Sequence, residues 1–330
     1  MNHSLSMHSI QSLQQKIIDV FATENFFFEP SALYNPIVYA LEQGGKRLRP
    51  LLVLMSADLF GGDINEAIKP SIGVELFHNF TLLHDDIMDN APIRRGRPSV
   101  FRKWNANVAI LSGDTMFVMA YDYICKVRKE VLPQTVDLFN DTARKVCEGQ
   151  QYDMDFETQQ EVSLDEYLRM IRLKTAVLLA CSVKLGAILA NAGEEATRTI
   201  YDFGENLGMA FQLQDDYLDI YGDVTKFGKE IGNDIVTNKK TFLYLKAFET
   251  ARGEDLARLT QYFTDTDTDN DTKISRIKEI YSQLGIDRLT RGLVGQYLEK
   301  ALKCLDSLTV ADERKAGLRQ LALQMLNREA

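Results

Sequence analysis

Cysteine is scarce, and its placement argues against both a disulfide framework and a zinc site. The chain of 330 residues contains four cysteines, and no two of them form a CxxC pair. They are Cys125, Cys147, Cys181 and Cys304. Disulfide-stapled secreted proteins and structural zinc sites both use closely spaced cysteines. We therefore expect free thiols in a reducing cytosol.

Long apolar runs and a basic surface are also missing. The N-terminus lacks a basic region followed by an apolar core, and no later apolar run approaches membrane-spanning length. The formal net charge is -9, whereas nucleic acid and anionic membranes attract proteins with spread basic surface. We expect a soluble, cytoplasmic protein without stable membrane insertion and without affinity for nucleic acid. Any polyanionic ligand must then be bound by local groups.

Proline is absent from the larger, C-terminal part of the chain. All seven prolines lie within the first 133 residues. Helix interiors tolerate proline badly, whereas sheet proteins of this size usually carry it in turns and at edges. Farther along, apolar residues recur at helical spacing at Tyr167, Met170, Ile171, Leu178 and Cys181. The sequence therefore predicts an all-α fold.

Helix breaks are indicated by glycine, proline and polar clusters. They fall at residues 61–63, around Pro92 and Pro98, at 191–193, at 222–238 and at 264–272. None of them resembles a flexible linker between domains. We therefore predict one domain that spans residues 1–330.

Two copies of one acidic pattern are present in this otherwise apolar context. Residues 85–89 and 215–219 both have the form DDxxD, and both follow apolar residues. Carboxylates at positions i and i+4 share a helix face and repel one another, and desolvating them costs further free energy. Each copy therefore indicates a bound cation. If the two faces meet across a cavity, their carboxylates form an oxygen cage suited to Mg2+.

Two other metal-site interpretations fail on spacing. The acidic segment 265–269 resembles the start of a calcium loop, but Asn270 stands at position six and Arg276 at position twelve. We expect this segment to be a solvated loop. Glu75 and His78 form an ExxH motif, but a di-iron helical bundle needs two such motifs, and the chain has only four histidines.

Basic residues accompany both acidic patterns. Residues 44–50, with the sequence GGKRLRP, carry three cations, and Arg94 and Arg95 follow the first acidic pattern in a loop. Four lysines follow the second pattern among glycines, namely Lys226, Lys229, Lys239 and Lys240. Diphosphates take both Mg2+ and arginine or lysine contacts. The combination predicts a diphosphate ligand.

Apolar residues lie directly before the first acidic pattern. Phe77, Phe80 and Thr81 fall one to two helical turns before Asp85. A ligand with its diphosphate head at the aspartates can extend an apolar tail along this helix. Head and tail together indicate a prenyl diphosphate.

With these motifs, the chain resembles the trans-isoprenyl diphosphate synthases of the polyprenyl synthetase family. The resemblance rests on GGKRLRP, LLHDDIMDNAPIRRGRPSV, ILSGD, EGQQYD, LKTA and FQLQDDYLDIYGD followed by GKEIGNDI, and it covers nearly the whole chain. It implies a single large helical bundle around a central apolar cavity, the isoprenoid synthase fold. It also implies a homodimer whose active sites each hold three Mg2+ ions.

The resemblance also implies roles for individual residues. The principal Mg2+ ligands would be Asp85, Asp89 and Asp215, with Asp86 and Asp219 completing the metal-binding set and Asp216 supporting the metals and their waters. The allylic diphosphate would be held by Arg94, Lys174, Lys229 and Lys239. The diphosphate of isopentenyl diphosphate would be held by Lys46, Arg49, His78 and Arg95, with a weaker assignment for Arg47. The carbocation would form beside Thr175 and Gln212. Weaker candidates for a supporting role are Gln150 and Asp153.

The implied reaction condenses isopentenyl diphosphate head-to-tail with an allylic diphosphate. In relatives, a bulky residue five positions before the first aspartate stops chain growth early, and that residue here is Phe80. The small Thr81 follows it, and Phe77 lies a further turn away. We expect a short product, geranylgeranyl or farnesyl diphosphate. In the alternative interpretation, Phe77 and Phe80 are ordinary core aromatics.

Two other functions remain open. A class I terpene cyclase also ionises a diphosphate with carboxylate-bound Mg2+, but it would not need the second diphosphate site that GGKRLRP, His78 and Arg95 suggest. A non-catalytic subunit of a heteromeric prenyl synthase would keep the helical fold and lose ligands. Both acidic patterns are intact here, which argues against that reading.

Overall fold

The computed structural model describes residues 8–222, 231–265 and 267–326. The first helices are α1 (Ile10–Thr23), α2 (Ser31–Glu42), α3 (Leu48–Leu59) and α4 (Ile64–Met88). A hairpin of β1 (Ile93–Arg94) and β2 (Arg97–Pro98) follows, and then α5 (Val100–Lys103), α6 (Ala106–Ile124) and α7 (Leu132–Thr158). The chain continues with α8 (Leu164–Ile171), a π-turn (Arg172–Ala176), α9 (Val177–Leu189) and α10 (Glu194–Tyr221). The last helices are α11 (Asn233–Val236), α12 (Phe242–Thr250), α13 (Gly253–Thr264), α14 (Asn270–Gln283), α15 (Ile286–Ser307) and α16 (Asp312–Leu326). The all-α prediction is confirmed.

Helix starts follow local capping chemistry. The Asp63 side chain accepts a hydrogen bond from the Asn65 amide at the start of α4. Ser163 and Glu166 form a reciprocal capping box at the start of α8. Asp269 caps α14, and the described residues Asp265 and 267–269 lie in the loop before that helix, as predicted. The helix breaks predicted at residues 61–63 and 191–193 are likewise confirmed, whereas the break predicted at 264–272 is shorter, because α13 extends to Thr264 and α14 begins at Asn270.

Prolines lie inside two of the early helices. Pro36 belongs to α2 and Pro70 to α4, and both are buried. A proline in a helix interior costs about 3 kcal/mol in lost hydrogen bonding and steric clash. The absence of proline therefore predicts the helices of the C-terminal part, but proline content does not predict α2 and α4.

Two compact units can be distinguished in the chain. Unit 1 consists of Met1–Asp141, Cys181–Tyr201 and Leu308–Arg319, and unit 2 of Thr142–Ala180, Asp202–Ser307 and Gln320–Ala330. In unit 1, α3 is buried at every position from Pro50 to Leu59, and Gly186 approaches the Val53 carbonyl so closely that an added Cβ would lie 2.2 Å from it. That helix is the centre of the core of unit 1. The single-domain organisation stays a prediction.

Unit 2 has two apolar clusters. One packs residues of α8 and the π-turn against α10, with Tyr167, Met170, Ala176, Met209 and Leu213 among its members. The other lies beneath α12 to α14 and includes Ile235, Leu259 and Tyr281. The first cluster sets the position of the second acidic motif, because it holds the buried face of α10. Within the described residues, no helix is long and apolar enough to cross a membrane.

Candidate functional site

The first acidic motif lies at the C-terminal end of α4. Asp85 and Asp86 occupy its last turn, and Asp89 follows it directly. A helix C-terminus carries partial negative charge, so three carboxylates there need cations nearby. Arg94 supplies one: its Nε donates to Asp86 Oδ1 at 2.8 Å, and its Nη2 forms a second, short bond to the same oxygen. The Nη2 atom also lies 3.7 Å from Asp85 Oδ2.

Asp86 differs from its neighbours in being buried, with 3% of its surface exposed. Burial raises its pKa, and the Arg94 hydrogen bonds oppose part of that rise. The carboxylate is therefore engaged by the protein. Asp85 is half-buried and Asp89 is exposed, so the first and last aspartates of the motif are the more accessible ones.

The hairpin after the motif brings a second arginine back to the GGKRLRP segment. Arg95 has a left-handed backbone conformation, with φ of 51°, and its Nη1 donates to the Gly44 carbonyl. A Cβ added at Gly45 would lie 2.9 Å from the Arg95 guanidinium carbon. Glycine at position 45 therefore permits this close approach. The structure joins two clusters of cations that are separate in the sequence, and Lys46 lies next to them, exposed, at the start of the segment that leads into α3.

Arg47 has a different environment from the other cations of this segment. Its Nη1 donates to Glu75 Oε1 at 2.7 Å, and its Nη2 donates to the Leu41 carbonyl. Its guanidinium carbon also lies 4.5 Å from the centre of the Phe21 ring. The Glu75 side chain is 2% exposed, so this is a buried ion pair. These contacts indicate that Arg47 anchors the segment.

His78 lies among the cations of unit 1. Burial lowers its pKa well below the ordinary value, and four arginine charges lower it further. These arginines are Arg49, Arg95, Arg94 and Arg47. The imidazole is therefore neutral near pH 7 and can offer a hydrogen bond but no charge. Arg49 and Arg95, two of the residues predicted to bind isopentenyl diphosphate, are thus close enough to His78 to interact with it electrostatically.

We expect His78→Gln to reduce the loss of stability at acid pH. Because the folded pKa of His78 lies below the unfolded value of about 6.5, the unfolded chain binds a proton that the folded chain does not. Stability of the wild type therefore falls as the pH drops below about 6.5. Between about pH 6.5 and about pH 5.5, the variant should lose less unfolding free energy, by up to about 1 kcal/mol. Denaturant unfolding at both pH values measures the difference, and identical losses would contradict the assignment.

An aromatic cluster lies on the helix turn before the first motif. The ring of Phe80 stacks on that of Phe117, with centroids 5.0 Å apart and planes 17° apart, and Phe77 meets Phe139 edge-on at 5.2 Å. Tyr121 packs edge-on against Phe139 at 4.9 Å. Phe77 is fully buried, whereas Phe80 is half-buried. Phe117, Tyr121 and Phe139 come from α6 and α7, and sequence reasoning missed them because nothing local links them to Phe80.

Thr81 lies beside these aromatics on α4. Its hydroxyl donates to the His78 carbonyl at 2.8 Å, within the same helix. The Thr81 hydroxyl is therefore satisfied by a local hydrogen bond. Phe77 and Phe80 are the bulky side chains of this part of α4.

The second acidic motif lies in the last two turns of α10. Asp216 is 6% exposed, whereas Asp215 and Asp219 are half-buried. Asp216 accepts a short hydrogen bond from the Tyr167 hydroxyl on Oδ2 and one from Gln212 Nε2 on Oδ1 at 3.0 Å. Burial raises the pKa of Asp216 to about 6 despite these hydrogen bonds.

The other two side chains of this region have separate partners. Gln212 Oε1 accepts a hydrogen bond from Thr175 Oγ1 at 2.9 Å, so the two residues predicted to line the carbocation site are in direct contact. Asp219 Oδ2 accepts the Asp234 amide at 2.9 Å, where α11 begins. Asp219 therefore also helps to hold the start of α11.

Two of the predicted allylic-diphosphate lysines converge on one carboxylate in unit 2. Lys174 Nζ lies 2.6 Å from Asp153 Oδ2, and Lys239 Nζ lies 3.5 Å from the same oxygen. Burial raises the pKa of Asp153, but the two lysine charges outweigh it and leave the pKa below its ordinary value. Asp153 therefore holds the ammonium groups of both lysines at one oxygen. The sequence assigned it only a supporting role. Lys229, the third lysine of that prediction, lies outside the described residues.

The π-turn presents Lys174 and Thr175. The Val177 amide donates to the Arg172 carbonyl, so this turn is one residue wider than an α-helical turn. Such turns are frequent at functional sites. Two glycines make room for it: a Cβ at Gly149 would lie 2.2 Å from the Lys174 amide nitrogen, and one at Gly208 would lie 2.5 Å from Ala176 Cα. Gly149 lies between Glu148 and Gln150 in the EGQQYD motif. The need for glycine at this position is visible only in the fold, where the Lys174 backbone approaches it.

The donor chemistry of the two motifs fits Mg2+. Carboxylate oxygens are the hard ligands that this ion prefers, and Mg2+ in proteins commonly takes one or two carboxylates and completes its coordination with water and substrate phosphates. In the described ranges 8–222, 231–265 and 267–326, no group of three or more His, Cys, Asp or Glu side chains is arranged to hold a metal ion. The accessible aspartates suit coordination shared with a diphosphate.

Comparisons with known proteins agree with the motifs. The polyprenyl synthetase family model matches residues 30–284. Geranylgeranyl diphosphate synthase of Methanosarcina mazei is 35% identical over 302 residues, which are 91% of each chain. Geranylfarnesyl diphosphate synthase of Aeropyrum pernix is 32% identical over 94% of this chain and 98% of its own. A crystal structure of a geranylgeranyl pyrophosphate synthase superposes with a TM-score of 0.94 at 44% identity, covering 98% of this chain and 100% of that one. The chain therefore belongs to the polyprenyl synthetase family of trans-prenyltransferases.

Proposed function

We propose that this protein is a Mg2+-dependent isoprenyl diphosphate synthase that condenses isopentenyl diphosphate with an allylic diphosphate. One observation carries the proposal: each unit has its own group of cations suited to a diphosphate. In unit 1 the group surrounds His78, and in unit 2 it is the pair Lys174 and Lys239 at Asp153. A reaction that joins two diphosphate substrates needs two such anion sites.

The cation groups suggest a division of substrates. Lys174 and Lys239, with Arg94 and Lys229, hold the allylic diphosphate, and the two lysines exchange Asp153 for it on binding. The isopentenyl diphosphate is held by Lys46, Arg49, His78 and Arg95. Arginine and lysine both suit this task, since charge-assisted hydrogen bonds to phosphate are stronger than neutral ones.

In the proposed reaction, the C1–O bond of the allylic substrate breaks before the new carbon–carbon bond forms. Asp85, Asp89 and Asp215, with Asp86 and Asp219 in support, would hold Mg2+, which would supply positive charge to stabilise the leaving diphosphate. Lys174 adds a positive charge at the same group. Three metal ions per site would balance the charge of the carboxylates of both motifs.

Thr175 and Gln212, beside the reacting carbon, stabilise the allylic cation. Thr175 directs its hydroxyl hydrogen to Gln212, which leaves oxygen lone pairs facing outward from the pair. These partial negative charges stabilise an allylic cation. The double bond of isopentenyl diphosphate attacks this cation, and the C2 proton passes to the departed diphosphate. Apolar walls exclude water until the new bond has formed.

The proposed product is geranylgeranyl diphosphate, with farnesyl diphosphate as the shorter alternative. The aromatic cluster at Phe77 and Phe80 supports an early stop to chain growth. The relatives described above, which are named for geranylgeranyl and geranylfarnesyl products, support the longer end of this range.

We further propose a cytoplasmic homodimer made of single-domain subunits. Three exposed residues support a contact between chains: on α6, Ile110 is 43% exposed, Leu111 58% and Val118 62%. They fall within about 100° of one another around the helix. An exposed apolar face of this kind is typical of a protein contact surface. The four cysteines are free, as predicted, which supports a reducing compartment.

Product analysis of the purified wild-type protein tests the proposed function. We expect a short-chain prenyl diphosphate when Mg2+, isopentenyl diphosphate and dimethylallyl, geranyl or farnesyl diphosphate are combined, and no product after Mg2+ is chelated. A terpene cyclase would consume the allylic diphosphate without isopentenyl diphosphate. A protein inert with every pair would instead be the non-catalytic subunit.

A further inference from the structure

The two acidic motifs share a pattern that their sequences do not reveal. In each, the second aspartate is buried and bound by the protein, whereas the first and last are more accessible. Asp86 is held by the Arg94 guanidinium. Asp216 accepts hydrogen bonds from Tyr167 and Gln212, two neutral groups.

The Tyr167 side chain carries a hydroxyl group that its packing in an apolar cluster does not require. Its side chain is 2% exposed and belongs to the apolar cluster that also contains Met170, Met209 and Leu213. A phenylalanine would fill the same volume, and a buried hydroxyl needs a hydrogen-bond partner. The Tyr167 hydroxyl donates its hydrogen bond to Asp216 Oδ2.

Holding Asp216 also adds to the apolar cluster in fixing the rotation of α10, and with it the direction of the neighbouring aspartates. Successive residues of an α-helix are separated by about 100°. Asp215 therefore lies about 100° from Asp216 around α10, and Asp219 about 60° from it, on the same side. A carboxylate fixed against the core thus directs both other carboxylates of the motif to one side of the helix.

The same carboxylate sets the orientation of a neighbouring amide. Asp216 Oδ1 can only accept, so the amide nitrogen of Gln212 faces it, and the amide oxygen faces Thr175. A continuous chain of hydrogen bonds therefore runs from Tyr167 through Asp216 and Gln212 to Thr175. Without an anchored Asp216, the remaining bond of this chain comes from the Thr175 hydroxyl, which can donate or accept and therefore does not fix the orientation of the Gln212 amide.

We propose that Tyr167 is a positioning residue for the second aspartate motif, acting through Asp216 on the direction of Asp215 and Asp219 and on the orientation of Gln212. The inference rests on the proposed function, because it assigns Tyr167 to the binding of Mg2+ and diphosphate. Residues that support metal ligands commonly change metal affinity or activity by about 10- to 100-fold when they are replaced.

Calorimetric titration with Mg2+ and inorganic diphosphate tests the inference without turnover. For Tyr167→Phe we expect binding about 10- to 100-fold weaker than in the wild type. Tyr281→Phe is the matched control, since Tyr281 is a fully buried tyrosine of the other cluster in unit 2, and its affinity should equal that of the wild type. Equal affinities of Tyr167→Phe and the wild type would overturn the inference.

A double-mutant cycle with Asp216→Asn tests whether Tyr167 acts through Asp216. The neutral amide removes the buried charge, so the double variant folds even if Tyr167→Phe alone does not. We expect the second replacement to add nothing to the loss in kcat caused by Asp216→Asn, because the two residues act as one unit. Multiplicative losses in kcat would contradict the proposed route.

The two measurements separate failure of the inference from failure of the proposed function. If the wild type forms no prenyl product but its affinity for Mg2+ and diphosphate still depends on Tyr167, the proposed reaction is wrong and the positioning role holds. If the wild type is active and Tyr167→Phe matches it in kcat and in affinity, only the positioning role is wrong.

Discussion

Gly149→Ala is expected to lower kcat/KM by about 100-fold or more while leaving the helix content unchanged. The added Cβ would lie 2.2 Å from the Lys174 amide nitrogen and 2.6 Å from its Cα. Both atoms belong to the backbone, so no side-chain rotation can relieve the clash. The π-turn must move, and with it the Lys174 ammonium and the Thr175 hydroxyl. Steady-state kinetics and circular dichroism measure the two quantities.

Gly292→Ala is the matched control for this substitution. Gly292 lies in α15, and an added Cβ would meet nothing within 4 Å. Because glycine in a helix is less stable than alanine by about 0.5–1 kcal/mol, the control should be fully active and slightly more stable. If Gly149→Ala retained wild-type kcat/KM, the π-turn would not be the element that positions Lys174 and Thr175.

Phe80→Ala is expected to shift the product distribution towards longer prenyl chains. Phe80 is half-buried and stacks on Phe117, so its removal opens space along α4 without exposing an entire core layer. An apolar tail that was stopped at this ring can then extend by further condensations. Chromatographic sizing of the dephosphorylated products measures the shift.

Phe77 is the next ring along α4 and needs a gentler substitution. It is fully buried and packs on Phe139, so Phe77→Ala would cost about 3–5 kcal/mol of stability. Phe77→Leu preserves more of the core and should lengthen the product less than Phe80→Ala does. Phe203→Leu, at a fully buried site in unit 2, is the control that should lower stability without altering product length. Unchanged products in both α4 variants would mean that Phe77 and Phe80 are ordinary core aromatics.

Local sequence patterns correctly predicted the helix ends that carry the acidic motifs. Both DDxxD copies lie at the ends of long helices, α4 and α10, and the loop after the first copy carries Arg94 and Arg95 as its proline and glycine content indicated. These predictions succeeded because helix periodicity and turn residues act over a few neighbours. The same reasoning could not find Tyr167, which hydrogen-bonds to an aspartate 49 positions later.

Asp153 and Gly149 illustrate how an assignment depends on packing. The sequence assigns Asp153 a supporting role, and the structure makes it the common partner of Lys174 and Lys239. Gly149 belongs to the EGQQYD motif, in which the sequence assigns it no role. Its purpose is a close approach between α7 and the π-turn, a contact between segments about 25 residues apart that no local pattern encodes.

The amino-acid sequence by itself determined the helical class, because composition and periodicity report directly on backbone preference, and it indicated the family through the resemblance of its motifs, including the two acidic ones. Only the tertiary structure decided which aspartate of each motif is buried, which cations share a carboxylate and why Arg47 differs from the arginines beside it. Those properties follow from desolvation and from contacts between distant segments. Their free energies depend on positions in space, and local patterns along the chain do not report those positions.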